Sequence, residues 1–535
     1  MRLKAAVAIA ALAVVFAGNA RAATTLIVTG HGWGHGVGMS QWGAYGYARH
    51  GWNYKRILFH YYPGTRLSHA PEAPVRVLLV PSSRGVEIGC ARKMTVGDGR
   101  RFWKHLPPKT YNVGPLFRLP VHHPAGTRLF PRGLAEFSCA NAPITLGGRP
   151  YRGTLVVRRS GATVSVVNSL ALDDYVRGVV PSESPARWPI AELEAQAVAA
   201  RSYALAERQP DAHYDLVPDA RNQVYGGMAA ESPRSNKAVE NTQGQILTYH
   251  GDVARTYYSS SSGGRTESVQ DAFPGSAPIP YLRSVPDPWD TYSPNHDWGP
   301  YVYSTDQLAA RLGLPGGVES AHVRQNASDR ASSVWLRLSS GDSVNLGGEG
   351  IARRLGLKST WFSIGTLSLS ASTPRVVYGR PVRLVARATE APGAVLQQQS
   401  RDGFWRTVQH VDGKSVFSVT PEASTAFRLR MPGASGAAVN VGVRPQLHVA
   451  PLSPTVLGGE VFPSTAGAVE VLRRDRGVWR VVAHPRVLPD GTFRTRLRLR
   501  PSVYRITAGN GDFAPTLRQL VVTRGMLLNL SPQRG

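Results

Sequence analysis

Cysteine is nearly absent from this chain: Cys90 and Cys139 are the only two in 535 residues. A structural zinc site takes four ligands, so these two thiols do not build one by themselves. Long apolar runs are scarce as well. Past residue 22 no stretch approaches the ~20 apolar residues of a membrane-spanning helix. Acidic residues are few, 35 against 62 Lys and Arg, which leaves a net charge of +27. The GxGxxG spacing that cradles a nucleotide phosphate is not met in the most regular glycine run, so nucleotide binding finds no support there.

What is present starts with MRLKAAVAIAALAVVFAGNARA. A basic start (Arg2, Lys4), an apolar run from Ala5 to Phe16 and the small-residue site Ala20-Arg21-Ala22 read as a secretory signal over residues 1–22. An uncleaved anchor is the alternative. The mature chain is therefore expected outside the cytoplasm, in the cell wall, the periplasm or the extracellular space. In that compartment Cys90 and Cys139 are expected to form one disulfide, closing a loop of about 50 residues and worth roughly 3–5 kcal/mol. Export makes nucleic acid a poor partner for the positive charge; anionic wall polymers or lipid headgroups suit it better.

The segment GHGWGHGVGMSQWGA, residues 30–44, has glycine at every even position from Gly30 to Gly38. Glycine within a strand costs entropy and packing, so the repeat needs a reason. Read as a strand, it puts His31, Trp33, His35, Val37 and Met39 on one face and leaves the other bare. A bare strip admits a second backbone or a flat ligand such as a sugar ring. His31 and His35 lie two steps apart on such a face, a weak basis for a metal pair. Ser40 is placed to cap a helix QWGAYGYARH, and Asn53 to cap YKRILFHYY, which Pro63-Gly64 stops.

Residues 75–170 are strand-rich. A helix is predicted from Ile190 to about Arg208, with Pro189 in its first turn and small alanines that permit close packing. Ahead of it Pro181, Pro185 and Pro189 predict a stiff loop with Glu183 at its centre, and Asp173 and Asp174 are expected to anchor that loop by bonds to backbone. Beyond residue 365 helical patterns vanish. Two blocks there match each other, with Trp405 and Trp479, Phe417 and Phe493, and Phe427 and Tyr504 in equivalent places. Alternating strands of this kind predict two all-β immunoglobulin-like sandwiches, 366–446 and 447–525, with a tail over 526–535.

The glycine-rich signature with its extension to HYYPGT resembles that of the stage II sporulation protein D family, also called the SpoIID/LytB or amidase-enhancer domain. Further blocks resemble the family too: LDDYVRGVVPSESPARWPIAELEAQAVAARSYAL, NQVYGG, AVENTQGQILTYHGDVARTYYSSSSGGRTES, PYLRSVPDPWD and LGLKSTWFSI. In the family's usual order the glycine signature follows the last of these. Here it precedes them all, so the resemblance implies a circularly permuted α+β catalytic domain of SpoIID type over 23–365. Its permuted signature segment is 26–67 and its remainder 75–365. If so, the strand around Leu26–Thr29 should lie beside Trp361–Ile364. Some relatives carry a Cys/His metal cluster where this chain has Val217, Arg221 and Asn222; none of these is a plausible zinc ligand, and no metal or other cofactor is expected.

The resemblance implies a lytic transglycosylase that cuts peptidoglycan glycan strands and leaves 1,6-anhydro ends, with Glu183 as general acid and base. One carboxyl group suffices when the sugar's own C6 hydroxyl is the nucleophile, whereas ordinary glycosidases use two. His35, Ser40, Gln41, Arg201, Tyr225, Ser260, Ser261 and Ser262 are the candidates to line a glycan groove. A serine nucleophile in SSSSGG lacks any sequence context for a base. The alternative function is a non-catalytic wall-binding protein that stimulates a cell-wall amidase.

Overall fold

The computed structural model describes residues 23–71, 73–98, 103–117, 133–523 and 526–529. The signal expected over 1–22 lies outside the described residues, as does the end of the expected tail. The architecture is α+β, mostly strands in several sheets. Strand β1 (Ala23–His31), rich in β-branched residues, runs through a five-stranded antiparallel sheet. Its companions are β2 (Asp297–Ser304), β3 (Phe362–Ala371), β4 (Val382–Thr389) and β5 (Gly413–Val419), in the order β2-β1-β3-β4-β5. Val28 pairs with Ile364 and Thr29 with Ser363, so Leu26–Thr29 and the start of β3 are neighbours, as expected.

Side chains alternate across the β1–β3 ribbon, and each face serves a different core. Leu26, Val28, Phe362 and Ile364 pack with Leu308, Leu312, Ile351 and Leu355 of two short helices. Ile27, Leu367 and Leu369 pack instead with Leu384 and Ala386 in the core of the C-terminal strands. The expected boundary at 365/366 therefore falls inside one strand, and the two regions share a sheet.

The C-terminal strands follow one plan twice. The first set puts β3-β4-β5 in one sheet and Val439–Arg444, Thr425–Met431, Val395–Gln399 and Trp405–His410 in another. The second set has Gln446–Ser453, Val456–Phe462 and Thr492–Arg496 in one sheet. Its other sheet runs Val478–Ala483, Val469–Asp475, Ser502–Asn510, Phe513–Thr523 and Met526–Asn529. The last of these strands lies in what was expected to be tail. The matched residues hold matched positions: Phe427 and Tyr504 are fully buried, and an arginine one residue further on covers each tryptophan. Arg428 lies 4.1 Å from the Trp405 ring and Arg505 lies 4.0 Å from that of Trp479. In the N-terminal region Cys90 and Cys139 are joined, with Cα atoms 5.7 Å apart.

The helices form where the caps put them. α1 (Gln41–Arg49) has the Ser40 hydroxyl accepting from Gly43 N–H, and α2 (Tyr54–Tyr61) has Asn53 accepting from Arg56 N–H. α3 (Leu172–Glu183) and α4 (Ile190–Ala206) follow, Pro189 capping α4 rather than entering its first turn. α4 is buried on nearly every side. Leu193, Ala197, Ala200 and Tyr203 face the core shared with α3, while Ala195, Val198 and Ala199 face the one shared with α1 and α2. Small side chains permit approach from both sides.

The glycine run is not a strand. β1 ends at His31, and Gly32, Gly34, Gly36 and Gly38 have φ of 73°, 105°, 76° and 71°. Left-handed residues alternating with ordinary ones coil the chain instead of pleating it, so the odd residues do not share a face. Trp33 is 52% exposed while Val37 and Met39 are completely buried. The bare positions do admit backbone: a Cβ on Gly32 would lie 2.7 Å from the Ser261 carbonyl oxygen, and one on Gly38 would run into that of Tyr257. Gly38→Ala should therefore lower the unfolding free energy by about 3 kcal/mol or more in urea titrations. Gly51→Ala, with similar φ but open space around it, should cost only about 1 kcal/mol.

Candidate functional site

Glu183 closes α3 instead of standing in mid-loop. Pro181 lies in the last turn, where its missing N–H helps end the helix, and Ser184 N–H returns to the Val180 carbonyl at 2.8 Å. A helix C-terminus is the negative end of the peptide dipoles, a poor place for a carboxylate. Three donors nevertheless reach the Glu183 carboxyl. Val224 N–H donates to Oε1 at 2.7 Å, Gln41 Nε2 to Oε2 at 3.3 Å, and the Tyr258 hydroxyl also bonds it. Burial pushes the Glu183 pKa up, and these three bonds pull it back only in part.

The donors come from three quoted blocks, and glycines bring them in. A Cβ on Gly178 of α3 would lie 2.6 Å from the Tyr225 ring, so the NQVYGG segment packs directly on the helix, with Gly226 N–H on the Gly178 carbonyl at 3.1 Å. That seats Val224 at Glu183. Behind it runs a hydrogen-bonded chain: Tyr175 Oη donates to Gln223 Oε1 at 3.0 Å, and Gln223 Nε2 donates to Tyr258 Oη at 2.9 Å. Because Tyr258 Oη accepts from Gln223, its own proton is left for Glu183.

Six of the eight residues expected in a glycan groove are buried, and most of them hold the structure around the site together. Arg201 is fully buried, 2.7 Å from Asp173, and donates to the Gln245 carbonyl at 2.8 Å, which ties α3 to α4. Asp173 thus serves an ion pair, not backbone anchoring, and Asp174 lies near Arg152 and Arg177 at 3.8 and 3.9 Å. Tyr225 is buried with its hydroxyl on Asn168 at 2.9 Å. His35 is half-buried against Tyr257 and Phe273, accepts from Val37 N–H at 3.0 Å, and is pushed down to about 4 by burial and by Arg330. Ser260 is half-buried, its carbonyl taking the Trp42 N–H at 3.0 Å. Of the eight, Gln41 alone is recorded touching Glu183 among the described residues.

Ser40, Ser261 and Ser262 belong to a buried network on two carboxylates, Asp287 and Asp290, that are not among the residues expected at the site. Asp290 accepts from Ser40 Oγ and Ser261 Oγ, both at 2.8 Å, and from Ser262 N–H and Gly263 N–H at 3.0 and 2.9 Å. His296 Nδ1 lies 3.1 Å from it. Asp287 accepts from Ser262 Oγ at 2.7 Å and Tyr61 Oη at 2.9 Å; burial and the nearby Asp290 push it up to about 7. The spacing of the two acids in PDPWD was the available signal. Tyr258 and Val224 stood in quoted blocks without any feature that marked them.

A fourth acid, Glu192 of α4, is completely buried and accepts from Ser184 Oγ at 2.7 Å, beside the end of α3. Burial pushes it up to about 8 from an ordinary 4.5. A groove of about 1360 Å³ between Val318–Gln325 and the polar part of β3 shares no residue with the Glu183 site.

An α+β domain with one half-buried, upshifted carboxyl at a helix end is the class that fold and site define. The family model described as Stage II sporulation protein matches residues 160–249, the stretch that carries Glu183 and, of its three donors, Val224. An uncharacterized protein of Brachyspira hyodysenteriae is 38% identical over 144 residues, 26% of this chain and 39% of that protein. The amidase enhancer of Bacillus subtilis is 39% identical over 166 residues, 30% of this chain and 22% of that one. The stage II sporulation protein D of Bacillus subtilis is 32% identical over 213 residues, 37% of this chain and 61% of that one. The chain is similar to the SpoIID family over this stretch, and it spans less than two thirds of each of these relatives.

The buried Glu192 carries a pH signature. Its folded pKa lies above the unfolded value, so the folded state binds the extra proton between about 4.5 and about 8, and stability falls as pH rises through that window. Glu192→Gln keeps an acceptor for Ser184 without the charge. Its melting temperature should equal that of the wild type near pH 4.5 and exceed it by a gap that widens to pH 8 and then levels off.

Proposed function

We propose that this chain is an exported peptidoglycan lytic transglycosylase with Glu183 as general acid and base. The observation that carries the reading is the setting of that carboxyl. The groups that reach it are a backbone N–H, a carboxamide and a phenol, none of them a carboxylate. A single upshifted acid suits a reaction whose nucleophile is part of the substrate. Protonated Glu183 gives its proton to the glycosidic oxygen as the bond from C1 of N-acetylmuramic acid breaks. The C6 hydroxyl of the same sugar attacks C1 and returns its proton to the carboxylate, so no water is consumed. Val224 N–H holds Oε1 at the short distance, which leaves Oε2, with its longer bond to Gln41, to carry the proton.

In this reading the domain is a circular permutation, opened where β1 and β3 lie side by side. The two C-terminal strand sets are immunoglobulin-like spacers or binding modules, and the arginine-rich surface holds the protein to anionic wall polymers. The name of the amidase enhancer of Bacillus subtilis favours a second reading, in which the protein binds glycan and stimulates a cell-wall amidase without cutting.

Mass spectrometry of peptide-free glycan strands after incubation separates the two. Wild-type protein should yield 1,6-anhydro ends, and Glu183→Gln should reduce their rate at least 10³-fold, within the scale of a general acid's contribution of about 10²–10⁴. Intact strands with binding retained would leave the enhancer reading. The pH profile is a further check. Activity requires the protonated acid, so the rate should fall as pH rises through the upshifted pKa. Tyr258→Phe removes a bond that favours the ionised form, and should move that alkaline limb to higher pH.

A further inference from the structure

The face of α1 beside Gln41 carries rings that the proposed chemistry does not use. Trp42 and Tyr45, three residues apart, lie on one side of the helix with centroids 5.4 Å apart. Trp188, buried and five residues past Glu183, forms the floor beneath both, at 4.7 and 5.0 Å. Tyr292 extends the row, 5.6 Å from Tyr45 and 42% exposed. The rings are inclined to one another by 54° to 72°.

The row is built rigidly. Gly43 and Gly46 of α1 have no room for a side chain: a Cβ at Gly43 would meet the Asp287 carboxylate and the Tyr61 hydroxyl, and one at Gly46 the Trp289 carbonyl. The helix is therefore pressed onto the turn Pro288–Tyr292, which sets Tyr292 beside Tyr45. Polar groups edge it. Arg49 Nη1 and His50 Nε2 lie 3.5 Å from the hydroxyls of Tyr45 and Tyr292, and Arg187, next to Trp188, is exposed.

We propose that Trp42, Tyr45 and Tyr292 form a platform on which successive sugar rings of a glycan strand stack as it leaves Glu183. The proposal rests on the glycan reading of that site and names the direction the strand takes. Three features select this occupant. The row lies near the carboxyl, since Gln41 of the same helix bonds Glu183 and Trp42 packs on Trp188, five residues past Glu183. Amphipathic tryptophan and tyrosine rings suit pyranoses, which show an apolar face and a polar rim. The arginines complement the lactyl carboxylate on each N-acetylmuramic acid of a peptide-free strand.

The test uses the full chain with Glu183→Gln, so that strands stay intact, and isothermal titration with peptide-free strands of eight and of four sugars. Tyr292→Ala and Tyr45→Ala should each weaken binding of the octasaccharide about tenfold. Tyr292→Ala should leave the tetrasaccharide nearly unaffected, and Trp fluorescence should change on binding. Tyr292 is half-exposed, so its removal does not threaten folding; circular dichroism checks both variants. Octasaccharide binding unchanged in both variants, or no binding by the parent, overturns the platform. Failure of the catalytic reading shows separately, as wild-type protein that leaves strands uncut while the ring variants still lose affinity.

Discussion

The Asp290 carboxylate holds the N-terminal region together. It is completely buried, and hydroxyls and amides from two segments distant in sequence, with an imidazole from the turn that follows, converge on it. A buried carboxylate without such donors costs several kcal/mol, so each segment stays only where it can supply its bond. The glycine run coils because it must bring Ser40 to this point while passing the backbone of residues 257–262. The second buried pair, Arg330 with Glu267 at 2.7 Å, closes the same region: Arg330 donates to the Ser262 carbonyl at 3.1 Å and leaves no space for a side chain at Gly36.

From that anchor the geometry of Glu183 follows in steps. Ser40 caps α1, so the orientation of α1 is set by Asp290. Gln41, the first residue of α1, then reaches the carboxyl. α4 backs both α1 and α3, and its small residues let the two helices sit near enough for Gln41 and Glu183 to meet. The ion pair of buried Arg201 with half-buried Asp173 fixes the far end of α3. The site is thus assembled from elements that are far apart in sequence, and its precision comes from buried polar contacts more than from apolar packing. The same logic joins the β-rich C-terminal region to the rest, since β1 and β3 give one face to each core and neither region can turn without breaking a shared sheet.

Local chemistry was legible wherever one residue type forces one conformation. The Ser40 and Asn53 caps set two helix starts, and alanine-rich α4 was readable as a central helix. The matched aromatic positions of the C-terminal blocks reappear in matched environments. The glycine run reads as a strand because strict alternation is also the pattern of a strand; only φ distinguishes a pleat from a coil of alternating hand. The serines and Arg201 read as groove residues because polar side chains are usually exposed, and a buried polar network has no local signature.

The sequence by itself determined the caps, the central helix, the strand-rich repeat and the candidate acid, since each depends on side chains within a few residues of one another. Which polar residues face solvent and which face Asp290 was decided only by tertiary structure. So were the donors that reach Glu183 and the upward shift of its pKa. A carboxyl group's protonation depends on the dielectric and the partners around it: burial raises this one, and Gln41, Val224 and Tyr258, brought together by folding from across more than 200 positions of the chain, pull it part of the way back.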